Sequence, residues 1–350
     1  MVLKFSSLQQ LYSHTFDTVI DVRSPAEFAE DHMPGAINLP VLDNDERARV
    51  GTIYVQESPF LARKLGAALV FRNAAGHIEN SLSHHEGDWQ PLVYCWRGGQ
   101  RSGSFTWMLQ QIGWRAEVVE GGYRSYRRLV KQFLYDDALP YRLVALDGYT
   151  GTAKTDLLGH LRDLGVQVLD LEWLANHRGS LLGEMPGGQP SQKAFESALA
   201  AALAGLDMAQ PVIVEAESSK IGNLILPPSL WSALCLAPRI QITAPIAART
   251  AYLVSAYDDI LSDSERLRDR LSPLRFHRGH EVIDGWLDMI DAGDKRGLTQ
   301  ALMEQHYDPA YAKSRKAQRA EVIAQIDAPS LDHTGLSATA ARIEKVLDQL

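Results

Sequence analysis

Two short stretches of this chain place reactive residue types in an order that suggests chemistry. The first is YCWRGGQRSGS, residues 94–104, which holds Cys95, one of only two cysteines in 350 residues, with Arg97, Gly98, Gly99 and Arg101 close behind it. The apolar run QPLVYC reads as a buried strand, and residues 102–112 read as a helix. A cysteine between them has its sulfur at the carboxyl end of a parallel sheet, where ligands bind in such architectures. Backbone N–H groups at the helix start, with Arg97 and Arg101, would favour the thiolate and depress its pKa. The two glycines let the loop turn several N–H groups inward. Such a cradle suits an anionic sulfur or selenium atom carried on Cys95. The second cysteine, Cys235 in WSALCLAPR, is expected to be inert core.

The second stretch is GYTGTAKT, residues 148–155, after the strand pattern YRLVALD. It fits G-x-x-x-x-G-K-[ST] except at Ala153, which stands where the second glycine belongs. The expected cradle is Gly148, Thr150, Gly151, Thr152 and Ala153, with N–H groups turned to a diphosphate. Lys154 would reach the outer phosphate, and Thr155 would hold Mg2+. The Ala153 methyl crowds the cradle or narrows the allowed backbone angles, so nucleotide hydrolysis does not follow from the motif alone. The later strand PVIVEAESSKIG ends in Glu215 and Glu217, with Ser218, Ser219 and Lys220 next. Acids there can hold a magnesium-bound water, and the next three residues can form a second anion contact. A polar loop capping a strand is the other reading, and the sequence leaves both open.

Strand–helix alternation positions both stretches. DTVIDVRS, INLP, QPLVYC and AEVV are strands, and PAEFAEDH is a helix with proline at its first turn. A helical insertion occupies about 41–90, with Ser58-Pro59 starting one of its helices. A boundary falls near FLYDDALPYR, and a second series of strands follows at YRLVALDG, VQVLDLE, PVIVEAE and RIQITA. The tail beyond about 250 reads as helical. The expected class is α/β in two parallel-sheet domains, residues 1–137 and 138–350, the second with a helical C-terminal region.

The formal net charge of -8 makes nucleic-acid binding depend on local basic surface. GGYRSYRRLVK supplies Arg124, Arg127, Arg128 and Lys131 without an acid. The tail adds Arg275, Arg278, Lys313, Arg315, Lys316 and Arg319. Each cluster is either a phosphate-binding surface or a solvated helix face. Two roles are open to Trp96: stacking on an exposed base, or apolar support for the cysteine loop. No apolar run approaches the ~20 residues that span a bilayer, and two cysteines suit a reducing, cytoplasmic setting.

DVRSPAEFAEDHMPGAINLP, then CWRGGQR and VVEGGY, resembles a rhodanese domain over about residues 5–135. That resemblance implies a persulfide or perselenide on Cys95 and places Asp21 and Arg23 where the family braces its active loop; a surface ion pair beside a turn stays open as the other reading, for Asp21 in particular. With VLDNDERARVGTIYVQESPFLARKLGAALV, DGYTGTAKT, NHRGSLLG and ESSKIGNLILP, the whole chain resembles the tRNA 2-selenouridine synthase family. The family implies a transferase acting on 2-thiouridine at the wobble position of lysine, glutamate and glutamine tRNAs. It geranylates the sulfur from geranyl diphosphate, then exchanges S-geranyl for selenium from selenophosphate. The alternatives are a sulfurtransferase relaying sulfur to a partner, with a regulatory nucleotide-binding domain, and a small-molecule kinase with a rhodanese-like binding module.

Overall fold

The structure, a computed structural model, describes residues 2–216, 218–317 and 320–350, with the backbone alone for 314–317. The chain divides into two compact units, Met1–Ala138 with Pro190–Gly205, and Leu139–Gln189 with Leu206–Leu350.

The first unit runs β1 (Val2–Leu3), α1 (Leu8–Tyr12), β2 (Thr18–Asp21), α2 (Pro25–Glu30), β3 (Ile37–Asn38), α3 (Asn44–Gln56), α4 (Pro59–Glu79), β4 (Pro91–Tyr94), α5 (Gln100–Ile112), β5 (Glu117–Val119) and α6 (Gly122–Lys131). Its sheet is ordered β1-β5-β4-β2-β3, and every pairing is parallel. All four residues of β4 are buried, as a central parallel strand requires. Asp21 pairs with Tyr94 in register, so the adjacent strand ends deliver Arg23 and Cys95 to one edge of the sheet. The insertion is helical as expected. Asp43 and Glu46 form a capping box at α3, and the Ser58 hydroxyl accepts from the N–H groups of Phe60 and Leu61 at α4.

The second unit contains β6 (Arg142–Gly148), α7 (Lys154–Asp163), β7 (Gln167–Leu169) and α8 (Leu171–Leu174). The chain then contributes α9 (Gln192–Ala204) to the first unit before resuming the second. There follow β8 (Pro211–Glu215), a ribbon of β9 (Lys220–Ile221) and β10 (Leu224–Ile225), α10 (Pro228–Leu236), β11 (Arg239–Thr243) and α11 (Ile246–Ala256). Beyond them come α12 (Asp258–Leu261), α13 (Ser264–Leu271), α14 (Arg275–Arg278), α15 (His280–Asp291), α16 (Lys295–Leu302), a π-helical turn at Met303–Tyr307, α17 (Asp308–Ala317), β12 (Val322–Asp327) and α18 (His333–Leu347). The main sheet is ordered β12-β11-β6-β8-β7, again all parallel. Val144, Leu146, Ile213, Ile240 and Ile242 form its core with Leu157 and Leu161 of α7 and Ile343 of α18.

Two expectations need correction. The tail is not wholly helical, because VIAQID forms the edge strand β12, in which only Ile326 is buried. Cys235 is only half-buried, because α10 turns Leu230 and Leu234 inward instead.

Helix α9 lies within the 138–350 span expected for the second domain, yet it packs in the first unit. Ser191 caps it and also donates to the Glu30 carbonyl. Phe195, Leu199 and Leu203 are fully buried. Arg127 of α6 forms an ion pair with Glu196, donates to Ser197 Oγ at 3.1 Å and lies 3.6 Å from Asp31. Burial raises the Asp31 carboxyl above its ordinary value, against hydrogen bonds from Tyr123 and Ser197 and the Arg127 charge. A carboxyl raised in the folded state binds protons more readily folded than unfolded, so it costs stability as pH climbs through its folded pKa. Arg127→Met removes the cation and leaves two acids uncompensated. It should cost about 3 kcal/mol in urea denaturation at neutral pH, with the deficit shrinking as pH falls toward ~4. A deficit independent of pH would show that packing, not charge, is what Arg127 supplies.

Candidate active sites: the cysteine loop and the phosphate cleft

Cys95 directly follows β4 and is buried, and its sulfur accepts a hydrogen bond from Ser102 Oγ at 3.1 Å. The loop is stitched to the turn after β5. Tyr123 N–H donates to the Cys95 carbonyl at 2.8 Å, and Arg124 N–H donates to the Trp96 carbonyl at 3.1 Å. Glycines permit this approach. A Cβ on Gly122, at φ +56°, would lie 2.2 Å from the Cys95 carbonyl oxygen. One on Gly98, at φ +65°, would lie 2.6 Å from the Val119 carbonyl oxygen. The GG of VVEGGY therefore belongs to the cysteine loop structurally.

Arg23 is 1 % exposed and Asp21 is 0 % exposed, which excludes a surface ion pair. The Arg23 Nη2 donates to Asp21 Oδ2 at 2.6 Å and to the Asp31 carbonyl at 2.6 Å. Its guanidinium carbon lies 3.9 Å from the centre of the Tyr123 ring. Tyr123 donates to Asp31 Oδ2 at 2.7 Å. Trp96, half-buried, packs against Tyr123 with ring centres 5.2 Å apart, so support of the loop is a contact it makes. Arg101 is committed to Glu27 at 2.8 Å. Burial of Glu27 works against ionisation, but the Arg101 hydrogen bond and charge prevail and hold its carboxyl below the ordinary value. Arg97 is exposed.

In the second unit, Gly148, Thr150, Gly151, Thr152 and Ala153 turn from β6 into α7 as expected. Ala153 adopts the left-handed conformation, φ 56° and ψ 36°, and is 3 % exposed. Backbone strain is thus what its methyl brings, at roughly 1–2 kcal/mol for a Cβ in that region. Lys154 Nζ donates to the Gly148 carbonyl at 3.2 Å and lies 5.7 Å from the Tyr311 ring centre. Arg249, buried on α11, donates to the Thr150 carbonyl at 2.9 Å and pairs with Asp308 at 2.6 Å. The loop borders a cleft of about 680 Å³ that also includes Glu172, Arg178, Glu215, Ser218 and Tyr311.

Thr155 Oγ1 donates to Glu172 Oε2 at 2.8 Å, and the Glu172 N–H donates to Glu215 Oε1 at 2.7 Å. The Thr155 hydroxyl and the Glu172 carboxylate, together beside a phosphate loop, are hard oxygen donors of the kind Mg2+ takes, with phosphate and water completing its shell. The residues therefore fit the ion. Ser218 lines the cleft, but its hydroxyl also accepts from the Lys220 N–H at 3.2 Å in a local turn. Ser219 and Lys220 are exposed and lead into the β9–β10 ribbon. Glu217 lies outside the described residues.

The cationic candidates separate. Arg124, Arg128 and Lys131 are exposed on α6, whereas Arg127 is turned inward to Glu196. The physical reason is helical period: Tyr123, Tyr126 and Val130 bury one face, and Arg127 shares it. Arg275 pairs with Asp284, and Arg278 donates to the His306 ring and carbonyl, so both have internal partners. Lys313 is exposed. Arg315, Lys316 and Arg319 lie outside the described side chains.

Comparison with known proteins decides the family. Residues 5–129 match the rhodanese-like domain, and residues 141–265 match the tRNA 2-selenouridine synthase AAA domain. A tRNA 2-selenouridine synthase of Hahella chejuensis is 34% identical over 328 residues, 84% of each chain. Those of Alcanivorax borkumensis and Bordetella petrii are each 33% identical, over 84% and 86% of this chain and 88% of their own lengths. The chain belongs to the tRNA 2-selenouridine synthase family.

In this member of the family, several residues at the sites carried no sequence signal. Asp31, Glu172, Arg249 and Tyr311 are isolated in the sequence and meet their partners only through the fold. Asp147, at the end of β6, accepts from Tyr311 Oη at 3.0 Å and lies 3.6 Å from Arg239; its position in VALDG was the one available hint. The glycine stitch yields a direct test. Gly122→Ala should destabilise the first unit by at least about 3 kcal/mol in chemical denaturation, since the Cβ meets fixed backbone rather than a movable side chain. A loss below about 1 kcal/mol would mean that the two loops separate without cost.

Proposed function

We propose that this chain converts 2-thiouridine at the tRNA wobble position to 2-selenouridine through S-geranyl-2-thiouridine, with geranyl diphosphate and selenophosphate as co-substrates. Family membership supports action on tRNA, and the lysine, glutamate and glutamine tRNAs are the proposed substrates. The observation that carries the chemistry is Cys95, held at a strand end in a loop braced by a buried arginine and faced by the Ser102 hydroxyl.

The thiouridine sulfur attacks C1 of the geranyl group, the carbon–oxygen bond breaks, and diphosphate leaves. Lys154 and the loop N–H groups neutralise that leaving group. Thr155 and Glu172 would hold Mg2+, which adds charge to the same place when bound. Alkylation turns a poor leaving group into a thiolate. Selenium from selenophosphate attacks the Cys95 sulfur of a mixed disulfide with an external thiol and displaces that thiol, and water takes the phosphoryl group as phosphate. The selenium carried on Cys95 then bonds to C2, the C2–S bond breaks, and geranylthiolate departs with the electron pair. The external thiol attacks the Cys95 sulfur, breaks the sulfur–selenium bond to release the selenouridine, and restores the mixed disulfide, so the cycle is redox-neutral. Arg97, exposed beside the loop, faces the anionic selenium donor. The exposed Arg124, Arg128 and Lys131 contact the tRNA backbone. The setting proposed is the cytoplasm, which keeps both free cysteines reduced. Among the described residues no helix is long and apolar enough to cross a membrane.

Mass spectrometry of tRNA nucleosides tests the assignment. Cys95→Ser should abolish 2-selenouridine while S-geranyl-2-thiouridine still forms, and Lys154→Ala should lower geranylation at least tenfold while sparing selenation of pre-geranylated tRNA. Selenation by the serine variant would remove Cys95 from the chemistry, and equal loss of both steps in the lysine variant would assign the loop a shared structural role. For the tRNA surface, Arg124→Ala with Arg128→Ala should reduce the salt dependence of binding by about one to two contacts without loss of stability. An unchanged slope would make α6 a solvated face.

A further inference from the structure

The phosphate cleft does not end at the loop. Thr150, Ser180, Leu253, Tyr257 and Tyr307 border it and also border a second, narrower chamber. The chamber's remaining wall is mainly Leu182, Leu261, Leu302 and Met303. Most of its polar side chains are turned to protein partners. Ser180 Oγ and Tyr257 Oη lie 3.3 Å apart, Tyr257 donates to the Arg178 carbonyl, and Thr299 donates to the Lys295 carbonyl at 2.7 Å. Walls of this kind offer little to a base or ribose, which need hydrogen-bonding groups, and suit hydrocarbon. The chamber also abuts the phosphate loop directly, since a Cβ on Gly151 would lie 2.7 Å from Leu253 Cδ1.

We infer that this chamber receives the hydrocarbon tail of an organic diphosphate whose head group lies on the loop of residues 148–155, and that its walls set the preferred tail length. The inference rests on the reading of that loop as a diphosphate site. The free volume is about 40 Å³, little more than one water's share of the liquid, so a tail enters by displacing side chains. Met303 is suited to yield: it is fully buried, unbranched, and begins the π-helical turn Met303–Tyr307. Such turns recur at functional sites because they interrupt regular helix packing. Leu182 comes from NHRGSLLG, a segment held by the His177–Glu184 bridge. This gives the motif a role as one wall of the chamber.

Calorimetric titration of the full chain with inorganic pyrophosphate and with five-, ten- and fifteen-carbon prenyl diphosphates tests this without any variant. Affinity should rise roughly tenfold or more from pyrophosphate to the ten-carbon ligand, because each buried methylene adds favourable transfer energy. Leu182→Phe should lower ten-carbon affinity at least tenfold and leave pyrophosphate affinity within about twofold. Met303→Ala should move the preference toward fifteen carbons. Equal wild-type affinity for pyrophosphate and the ten-carbon ligand overturns the tail chamber and leaves the diphosphate reading standing. Failure of every diphosphate to bind overturns both. Unchanged chain-length preference in two folded variants also overturns it, since the walls would then not touch the tail.

Discussion

Arg23 is almost entirely withdrawn from water, so its charge must be held by protein groups or not at all. An unpaired guanidinium in that position would cost several kcal/mol. Asp21 takes it as a fork, the Asp31 carbonyl takes a further N–H, and the Tyr123 ring lies against its face. Each partner belongs to a different part of the first unit: the end of β2, the residue after α2, and the first turn of α6. Fixing the guanidinium therefore fixes three segments, one of which hydrogen-bonds to the Cys95 carbonyl. The loop is held from below by a charge cluster and from the side by glycines whose missing Cβ atoms allow contact.

The second unit solves the same problem with different residues. Its loop also lies at the carboxyl end of a central parallel strand, and here a buried arginine donates to the loop itself, Arg249 to the Thr150 carbonyl. Asp308 neutralises that arginine as Asp21 does Arg23. Loops that present N–H groups to an anion point carbonyls elsewhere, and a buried donor satisfies one of them while adding positive charge nearby. Bracing of this kind also accommodates Ala153. Its left-handed backbone is unfavourable for a residue with a Cβ, and persists because the surrounding contacts over-determine the loop.

The sequence revealed these sites unevenly, for physical reasons. Cys95 and Lys154 were legible because a buried parallel strand is an apolar run and the following loop must use glycine where φ is positive. Edge strand β12 was not, because an edge position buries only one of its six residues and its apolar run, Val322 to Ala324, is too short to mark a core strand. Arg127 carried a readable signal that its neighbours obscured: it follows Tyr123 by four residues, on the buried face, within a run of cations. Membership of α9 in the first unit had no local signature at all. An alanine-rich amphipathic helix between two strands reads the same whichever unit receives it.

Burial of Cys95 bears on what the residue does. The residue is 3 % exposed, and its sulfur accepts from the Ser102 hydroxyl, a donor that suits an anionic sulfur. A sulfur so enclosed is badly placed to attack a carbon within a bulky polynucleotide. An atom bonded to it reaches one bond further, about 2 Å if the length resembles that of a disulfide. In the proposed reaction the transferred atom meets the substrate while the cysteine remains in its cradle. Enclosure thus fits the proposed carrier role better than that of a direct nucleophile. The proposed geranyl transfer would have the opposite need, for a large ligand would have to enter and its diphosphate to leave, and the phosphate loop borders a cleft of about 680 Å³ that meets it.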